Sequence, residues 1–341
     1  MSDSTTTPGN GPHRISVVIP VYQGEQTLPT LAKEIALLAV PTVTAHGHEF
    51  QVVELLLVND HGPDRSDEVI RELAAAYEFV RPVWLSRNFG QHPATLAGMA
   101  SSSGDWIVTM DEDGQHDPAD IGDFLDVALA QGSQLVYADP VNRPPHNIVR
   151  NGSSRLAKWV FSNFLTGNNY GVFQSYRMIL GEVGRSVAAY AGSGVYLDVA
   201  MGWVAGPTAS CPVRLRNEGE RASGYSTRRL LSHFWRLTLS SGTHALRMVS
   251  ALGLLFAAGG IAYAIYLLVA HFTSNAVPQG WTSTMVLVLV STGVILFSLG
   301  VIAEYVGVGV NMAMGRPLYL IVGDAKDGPL GRVEPERPNG A

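Results

Sequence analysis

Two stretches in the last third of the chain constrain it more than any other feature: residues 249–270 carry no charge, and neither do residues 284–303. At a rise of 1.5 Å per residue, a helix of about 20 residues is about 30 Å long, the thickness of a bilayer's hydrocarbon core. Soluble helices of that length seldom lack every charge. Composition agrees, because charged residues make up only 15% of the chain, against roughly 25% in an average soluble domain. Arg228, Arg229, Arg236 and Arg247 precede the first stretch and Arg316 and Lys326 follow the second, whereas the connecting residues 271–283 hold no Lys or Arg. By the positive-inside rule both ends are expected in the cytoplasm, giving a multi-pass protein of the plasma (inner) membrane. Residues 1–14 are polar with no apolar run behind a basic start, so a disordered tail is expected rather than a signal peptide. Cys211 is the single cysteine, which excludes an internal disulfide and a cysteine-cluster metal site.

The part before the spans reads as α/β. Short apolar, β-branched runs at 15–21, 52–58, 80–85, 105–110 and 135–138 predict strands. Helical spacing predicts helices over 27–40, 67–77 and 92–101. Strands alternating with helices imply a mostly parallel sheet covered on both faces. The expected plan is a tail at 1–14, a cytoplasmic α/β domain at 15–225 and an amphipathic juxtamembrane region at 226–248. Two transmembrane helices follow at 249–270 and 284–305, joined by an external loop at 271–283, and a cytoplasmic tail closes the chain at 306–341.

Ligands of such sheets bind beyond the carboxyl ends of the strands. Three polar clusters fall there: Pro20 to Glu25, Asn59-Asp60, and Asp111 to Gln115. Between Asp105 and Asp126 there are eight acids and no Lys or Arg, while seven arginines lie between Arg214 and Arg247. A dense acidic patch calls for a cation, and a basic stretch beside a membrane for phosphate or anionic headgroups. If the strand runs straight into the acidic segment, alternation brings Asp111, Asp113 and Gln115 to one side and turns Glu112 away. Those oxygen donors suit Mg2+ or Mn2+ held largely through substrate phosphates. The spacing lacks the twelfth-position Glu of an EF-hand, and a solvated acidic turn is the plain alternative. No GxxxxGK[ST] loop, no GxGxxG after the first strand and no HExxH occurs, which disfavours P-loop kinases, Rossmann dehydrogenases and zincins.

Residues 17–28 (VVIPVYQGEQTL), 55–66 (LLLVNDHGPDRS), 85–99 (LSRNFGQHPATLAGM), 110–118 (MDEDGQHDP), 223–230 (SGYSTRRL) and 304–321 resemble, in this order, the family 2 glycosyltransferases. The resemblance is to their polyprenyl-phosphate sugar synthases, such as dolichol-phosphate mannose synthase and the bacterial enzymes that place glucose or aminoarabinose on undecaprenyl phosphate. It implies a GT-A-like nucleotide-binding fold and inverting transfer from a nucleotide diphosphate sugar to a polyprenyl phosphate, with a UDP-sugar favoured. In that reading Pro20, Tyr22 and Glu25 frame the nucleotide, Val58 and Asp60 hold base and ribose, and Asp111, Asp113 and Gln115 hold diphosphate and metal.

The sequence departs from the pattern at Gly24, where an acid is usual, at Asn59 and at Gly224, where Lys is common. Arg143, Arg216 and Arg221 are the cations that could take the acceptor phosphate in its place. A phosphate monoester has its second pKa near 6, so the acceptor is already ionised and needs cations more than a general base. Asp113, Arg216 and Arg221 are therefore the expected catalytic residues, with Asp113 on the donor and the arginines on the lipid phosphate. The basic residues around Leu230–Leu239 fit an interfacial amphipathic helix. Gln174-Ser175-Tyr176-Arg177 is similar to the QxxR of processive synthases, but Met178 stands where their Trp would be. Rival readings are the same fold with another acceptor, and a nonenzymatic nucleotide-binding subunit. The membrane and the two substrates are the expected partners; no nucleic-acid partner is expected, and Gly253, Gly259 and Gly260 fit packing of the spans in a homo-oligomer.

Overall fold

The computed structural model describes residues 11–142, 174–192, 197–216, 280–315 and 317–328, with scattered residues between 249 and 269. The chain divides into two units, one holding the sheet (up to residue 145, 172–223 and 317 onward) and one holding the long apolar helix. The juxtamembrane region 226–248 lies outside the described residues.

In the first unit the described strands are β1 (His13–Val21), β2 (Thr42–Val43), β3 (Glu49–Asn59), β4 (Val80–Leu85), β5 (Trp106–Thr109), β6 (Leu135–Pro140), β7 (Arg177–Leu180), β8 (Thr208–Val213) and β9 (Ile321–Val322). They form one mixed sheet in the order β8-β6-β7-β5-β1-β3-β4-β9, with β2 on β3. The middle four, β5-β1-β3-β4, are parallel. On one side β7 runs antiparallel between β5 and β6; on the other β9 closes the edge antiparallel to β4. Helices α1 (Leu28–Ala36), α2 (Ser66–Ala76), α3 (Gln91–Ser101), α4 (Ile121–Gln131), α5 (Gly181–Tyr190) and α6 (Leu197–Val204) complete the unit.

The apolar runs are continuous because the sheet is buried on both faces. Along β1, Ile15, Val17, Ile19 and Val21 enter one core with Leu28, Leu31 and Ile35 of α1. Val18, with Leu56 and Val58 of β3, enters the other, against α3, α5 and α6. In α1 the buried positions Leu28, Leu31, Ala32 and Ile35 follow the helical period, and Pro29 sits in the first turn, where no N–H is missed. The helix stops at Ala36 rather than near Val40, the chain tightening there as the N–H groups of Leu37, Leu38 and Ala39 bond carbonyls three residues back.

At the opposite end from the strands' carboxyl termini, the β2–β3 hairpin is tied to α4 through Asp126. This buried carboxylate accepts from Thr44 Oγ1 at 2.5 Å and from Nδ1 of His46 and of His48 at 2.7 Å each. Burial alone would raise its pKa, but the hydrogen bonds from Thr44, His48 and His46 outweigh that and hold it at about 2. Because the folded-state value is depressed, the stabilisation is present above the ordinary range near 4 and fades as pH falls toward 2. Asp126→Asn is thus expected to cost about 2 kcal/mol at pH 6. Urea unfolding followed by tryptophan fluorescence should show that gap closing between pH 4 and pH 2.

In the second unit, α7 (Trp281–Ala313) is 33 residues long. Its segment Val290–Val310 is the one described helix long and apolar enough to cross a membrane. The helix starts inside the segment expected as loop and runs eight residues past the expected end at 305. Lack of charge marks what lipid will accept, not where hydrogen bonding stops, so Glu304 did not end it. Gly315, at φ +63°, lies just beyond the helix's last residue in a conformation suited to glycine. Of the first expected span, the described residues such as Gly253, Leu254 and 258–263 are helical.

The segment after α7 belongs to the sheet unit. Leu320 accepts from the Ser86 N–H at 2.9 Å. Asp324 takes Nε and Nη2 of Arg71 at 2.6 and 2.9 Å, and that guanidinium lies over Trp84.

Candidate active site

The strand order reverses at β1, with β3 on one side and β5 on the other, so a crevice opens where the carboxyl ends of β1 and β5 diverge. Register aligns these ends: Val21 pairs with Asn59, Pro20 with Val58, and Val18 with Thr109. Three loops leave from there, 22–27, 60–65 and 110–117.

The loops are stitched to one another. Glu112 accepts from the backbone N–H of Tyr22 at 2.7 Å and of Gln23 at 2.9 Å, and its carbonyl takes the Thr27 hydroxyl at 2.5 Å. Gly24 N–H donates to Ser66 Oγ at 2.8 Å, and Glu25 caps Arg65 N–H at 3.2 Å. Gly62 has no substitute here: a Cβ would fall 1.4 Å from the Tyr22 carbonyl oxygen. Tyr22 itself is 45% exposed.

The strand ends at Thr109, so residues 111–115 form a turn and strand alternation does not apply to them. That corrects the expected geometry. Glu112 does not point away but reaches back to the β1 loop. Asp113 folds onto its own turn, accepting Gln115 N–H at 3.0 Å, and Gly114 takes φ +78°, which favours glycine. Asp111 is held from two sides, by Gln91 Nε2 at 2.6 Å on Oδ1 and by Ser175 Oγ at 2.5 Å on Oδ2. Its N–H donates to Nδ1 of His116 at 3.0 Å, so that nitrogen carries no proton. His116 is buried and stacked on Tyr176 at 4.7 Å; burial lowers its pKa, consistent with the neutral ring. Gln91, His116 and Ser175 were missed in the sequence reading, although Gln91 and His116 stand inside quoted motifs and Ser175 inside the QxxR-like run.

Other expected residues occupy more structural positions. Pro20 is buried and Val58 is packed in the core between sheet and α3. Asp60, expected on base and ribose, gives both carboxylate oxygens to backbone N–H groups, Phe89 at 2.7 Å and Gly90 at 2.8 Å. Burial raises its pKa and those bonds offset the rise only in part. Asp60 therefore anchors the loop that delivers Gln91 to Asp111.

Arg216, expected at the acceptor phosphate, has its guanidinium on Glu34 at 2.7 Å and on both oxygens of Asp117 at 2.8 and 3.2 Å. Its backbone N–H also reaches the Gln115 carbonyl at 2.9 Å. With two carboxylates already on it, it braces the acidic turn and is not a spare cation. Arg143 and Arg221 lie outside the described residues. Arg177, of the QxxR-like run, is buried in an ion pair with Asp198 and does not face the crevice.

Among the described residues no three His, Cys, Asp or Glu side chains gather as a closed metal cage. Asp111, Asp113 and Gln115 offer instead two carboxylates and an amide on one turn. An oxygen-only, incomplete set of this kind suits a hard divalent cation whose other positions go to phosphate and water.

A family model described as glycosyl transferase family 2 matches residues 16–183, and one described as the GtrB C-terminal hairpin matches 246–308. The chain is 32% identical over 321 residues to an undecaprenyl-phosphate 4-deoxy-4-formamido-L-arabinose transferase of Pseudomonas aeruginosa, covering 90% of this chain and 89% of that one. It is 28% identical over 323 residues to the protein of the same name from Photorhabdus laumondii, covering 92% and 95%. It is also 27% identical over 323 residues to the SfII prophage-derived bactoprenol glucosyl transferase of Shigella flexneri, covering 90% and 97%.

Proposed function

The chain belongs to glycosyl transferase family 2, in its polyprenyl-phosphate sugar transferase branch, and on that premise we propose that it moves a sugar from a UDP-sugar to a polyprenyl phosphate, with inversion, at the cytoplasmic face of the plasma membrane. The observation that carries this is the acidic turn at the β1/β5 crevice, with Asp111 held between Gln91 and Ser175 and the turn locked to the β1 loop by Glu112. A site that must receive a diphosphate at one fixed place gains from such preorganisation. The hairpin match over 246–308 supports two membrane spans, and the arginine-rich flanks support a cytoplasmic site.

In this reading Tyr22 and the end of β1 receive the base, with Asp60 shaping the neighbouring loop. Asp111, Asp113 and Gln115 would hold Mg2+ or Mn2+, which neutralises the diphosphate as it departs. The acceptor oxygen of a phosphate monoester is largely deprotonated near neutral pH, so the chain supplies no base. It supplies cations that hold the phosphate on the far face of the anomeric carbon. Arg143 and Arg221 take that role, with planar guanidinium groups suited to bidentate contact with phosphate. Arg216 keeps the turn in place through Asp117 and Glu34.

Release of nucleotide from a panel of UDP- and GDP-sugars, with undecaprenyl phosphate present, tests the donor and the cation. UDP should appear from one or a few donors, stop with EDTA and return with added Mn2+ or Mg2+. Turnover of GDP-mannose alone would replace the UDP assignment, and full activity in EDTA would remove the cation.

A further inference from the structure

We propose that Ser175 is a positioning residue for the diphosphate site: its backbone, held by hydrogen bonds that begin at a buried ion pair, brings its hydroxyl to the Asp111 carboxylate and sets it in the orientation that would hold the diphosphate's cation. The inference rests on the reading of Asp111 given above.

The chain of bonds has one direction. Arginine only donates, and Arg177 donates through Nε to Thr109 Oγ1 at 3.1 Å. Nη1 of the same guanidinium donates to Asp198, which also accepts from the Tyr137 hydroxyl at 3.1 Å. Arg177 and Asp198 are 3% and 5% exposed, so water does not compete there. Since the Thr109 oxygen receives Arg177, its own proton goes to the Ser175 carbonyl at 2.6 Å. Thr109 and Arg177 are register partners in the β5–β7 ladder. Two residues beyond Thr109 stands Asp111, and two before Arg177 stands Ser175, so the ladder delivers the serine beside the acid. A carboxylate only accepts, and Ser175 therefore donates to Oδ2 at 2.5 Å.

On the other oxygen, Gln91 donates at 2.6 Å from the first residue of α3. One donor would let the carboxylate swivel about its last torsion; two donors from separate elements fix it. Both are neutral, so they orient Asp111 while leaving its charge for the site. Each oxygen keeps a further acceptor position. Partners that orient a metal ligand typically account for about 10–100-fold in metal affinity.

The test uses the full-length protein in detergent with UDP, titrated with Mn2+, the free ion being read by electron paramagnetic resonance. Ser175→Ala should raise the half-saturating Mn2+ concentration about tenfold, whereas Ser175→Thr, which keeps the hydroxyl, should stay within about twofold. In turnover the alanine variant should need more Mn2+ yet approach the parent kcat when Mn2+ saturates. Wild-type Mn2+ affinity in Ser175→Ala, or an equal defect in Ser175→Thr, would overturn the proposal. Asp111→Asn serves as the reference. If it binds Mn2+ and UDP as the parent does, the diphosphate-site reading fails together with the inference. If it is defective while Ser175→Ala is not, the inference alone fails.

Discussion

Asp111→Asn is expected to lower sugar transfer about a thousandfold while leaving the sheet unit folded. The substitution keeps the side chain's size and removes its negative charge from the turn that receives the diphosphate. Loss of one preorganised electrostatic partner in a site of this type costs about 3–4 kcal/mol of transition-state stabilisation. The new amide also places an NH2 where an acceptor stood. Gln91 and Ser175 approach the two oxygens at 2.6 and 2.5 Å, so one of them must turn round to accept. The residue's backbone bond to His116 is untouched, and so is the Glu112 bridge to the β1 loop. Initial rates at saturating donor and Mn2+, with circular dichroism and a thermal midpoint for each protein, separate chemistry from folding. More than a tenth of parental turnover in a folded Asp111→Asn would contradict the assignment.

The largest expected effect on stability comes from Arg177→Leu. It leaves Asp198 as a buried carboxyl that burial already pushes above its usual pKa, now without its cation. Removing one partner of a buried pair costs about 3–5 kcal/mol. For a domain of this size that is about a 10 °C fall in Tm. Arg177→Leu/Asp198→Leu should recover most of the loss, because an apolar pair of similar volume is often neutral or better. Recovery will stop short of complete, since the Tyr137 hydroxyl loses its bond to Asp198 and Thr109 the one it accepts from Arg177. Thermal unfolding in detergent checks this, and a double variant no more stable than Arg177→Leu would refute it.

The parallel centre of the fold was legible because its strands are short apolar runs buried on both faces, ended by turn residues. Strand β4 was read at its observed bounds, Val80–Leu85. What could not be read was pairing at long range. Nothing near Ile321 says that it pairs with Leu85, or that β7 runs backwards between β5 and β6. At the site, Asp111 and Asp113 stood out by type and spacing. Their orientation did not, because it depends on β5 ending at Thr109 and on donors from α3 and from the residues leading into β7. Glu112 was misjudged for the same reason, since alternation holds only while the strand lasts. Arg216 shows the limit of counting charges: a cation near an acidic loop is free for substrate only if no acid has already taken it, and here Glu34 and Asp117 have.

The most direct test of the central claim is mass spectrometry of the lipid. Purified full-length protein in liposomes containing undecaprenyl phosphate would be given a panel of UDP-sugars with Mn2+, and the lipid extracted. The account predicts a lipid heavier than undecaprenyl phosphate by one sugar residue, formed with release of UDP and missing with Asp111→Asn. Undecaprenyl phosphate recovered unchanged from every donor, by protein that still binds UDP, would contradict it.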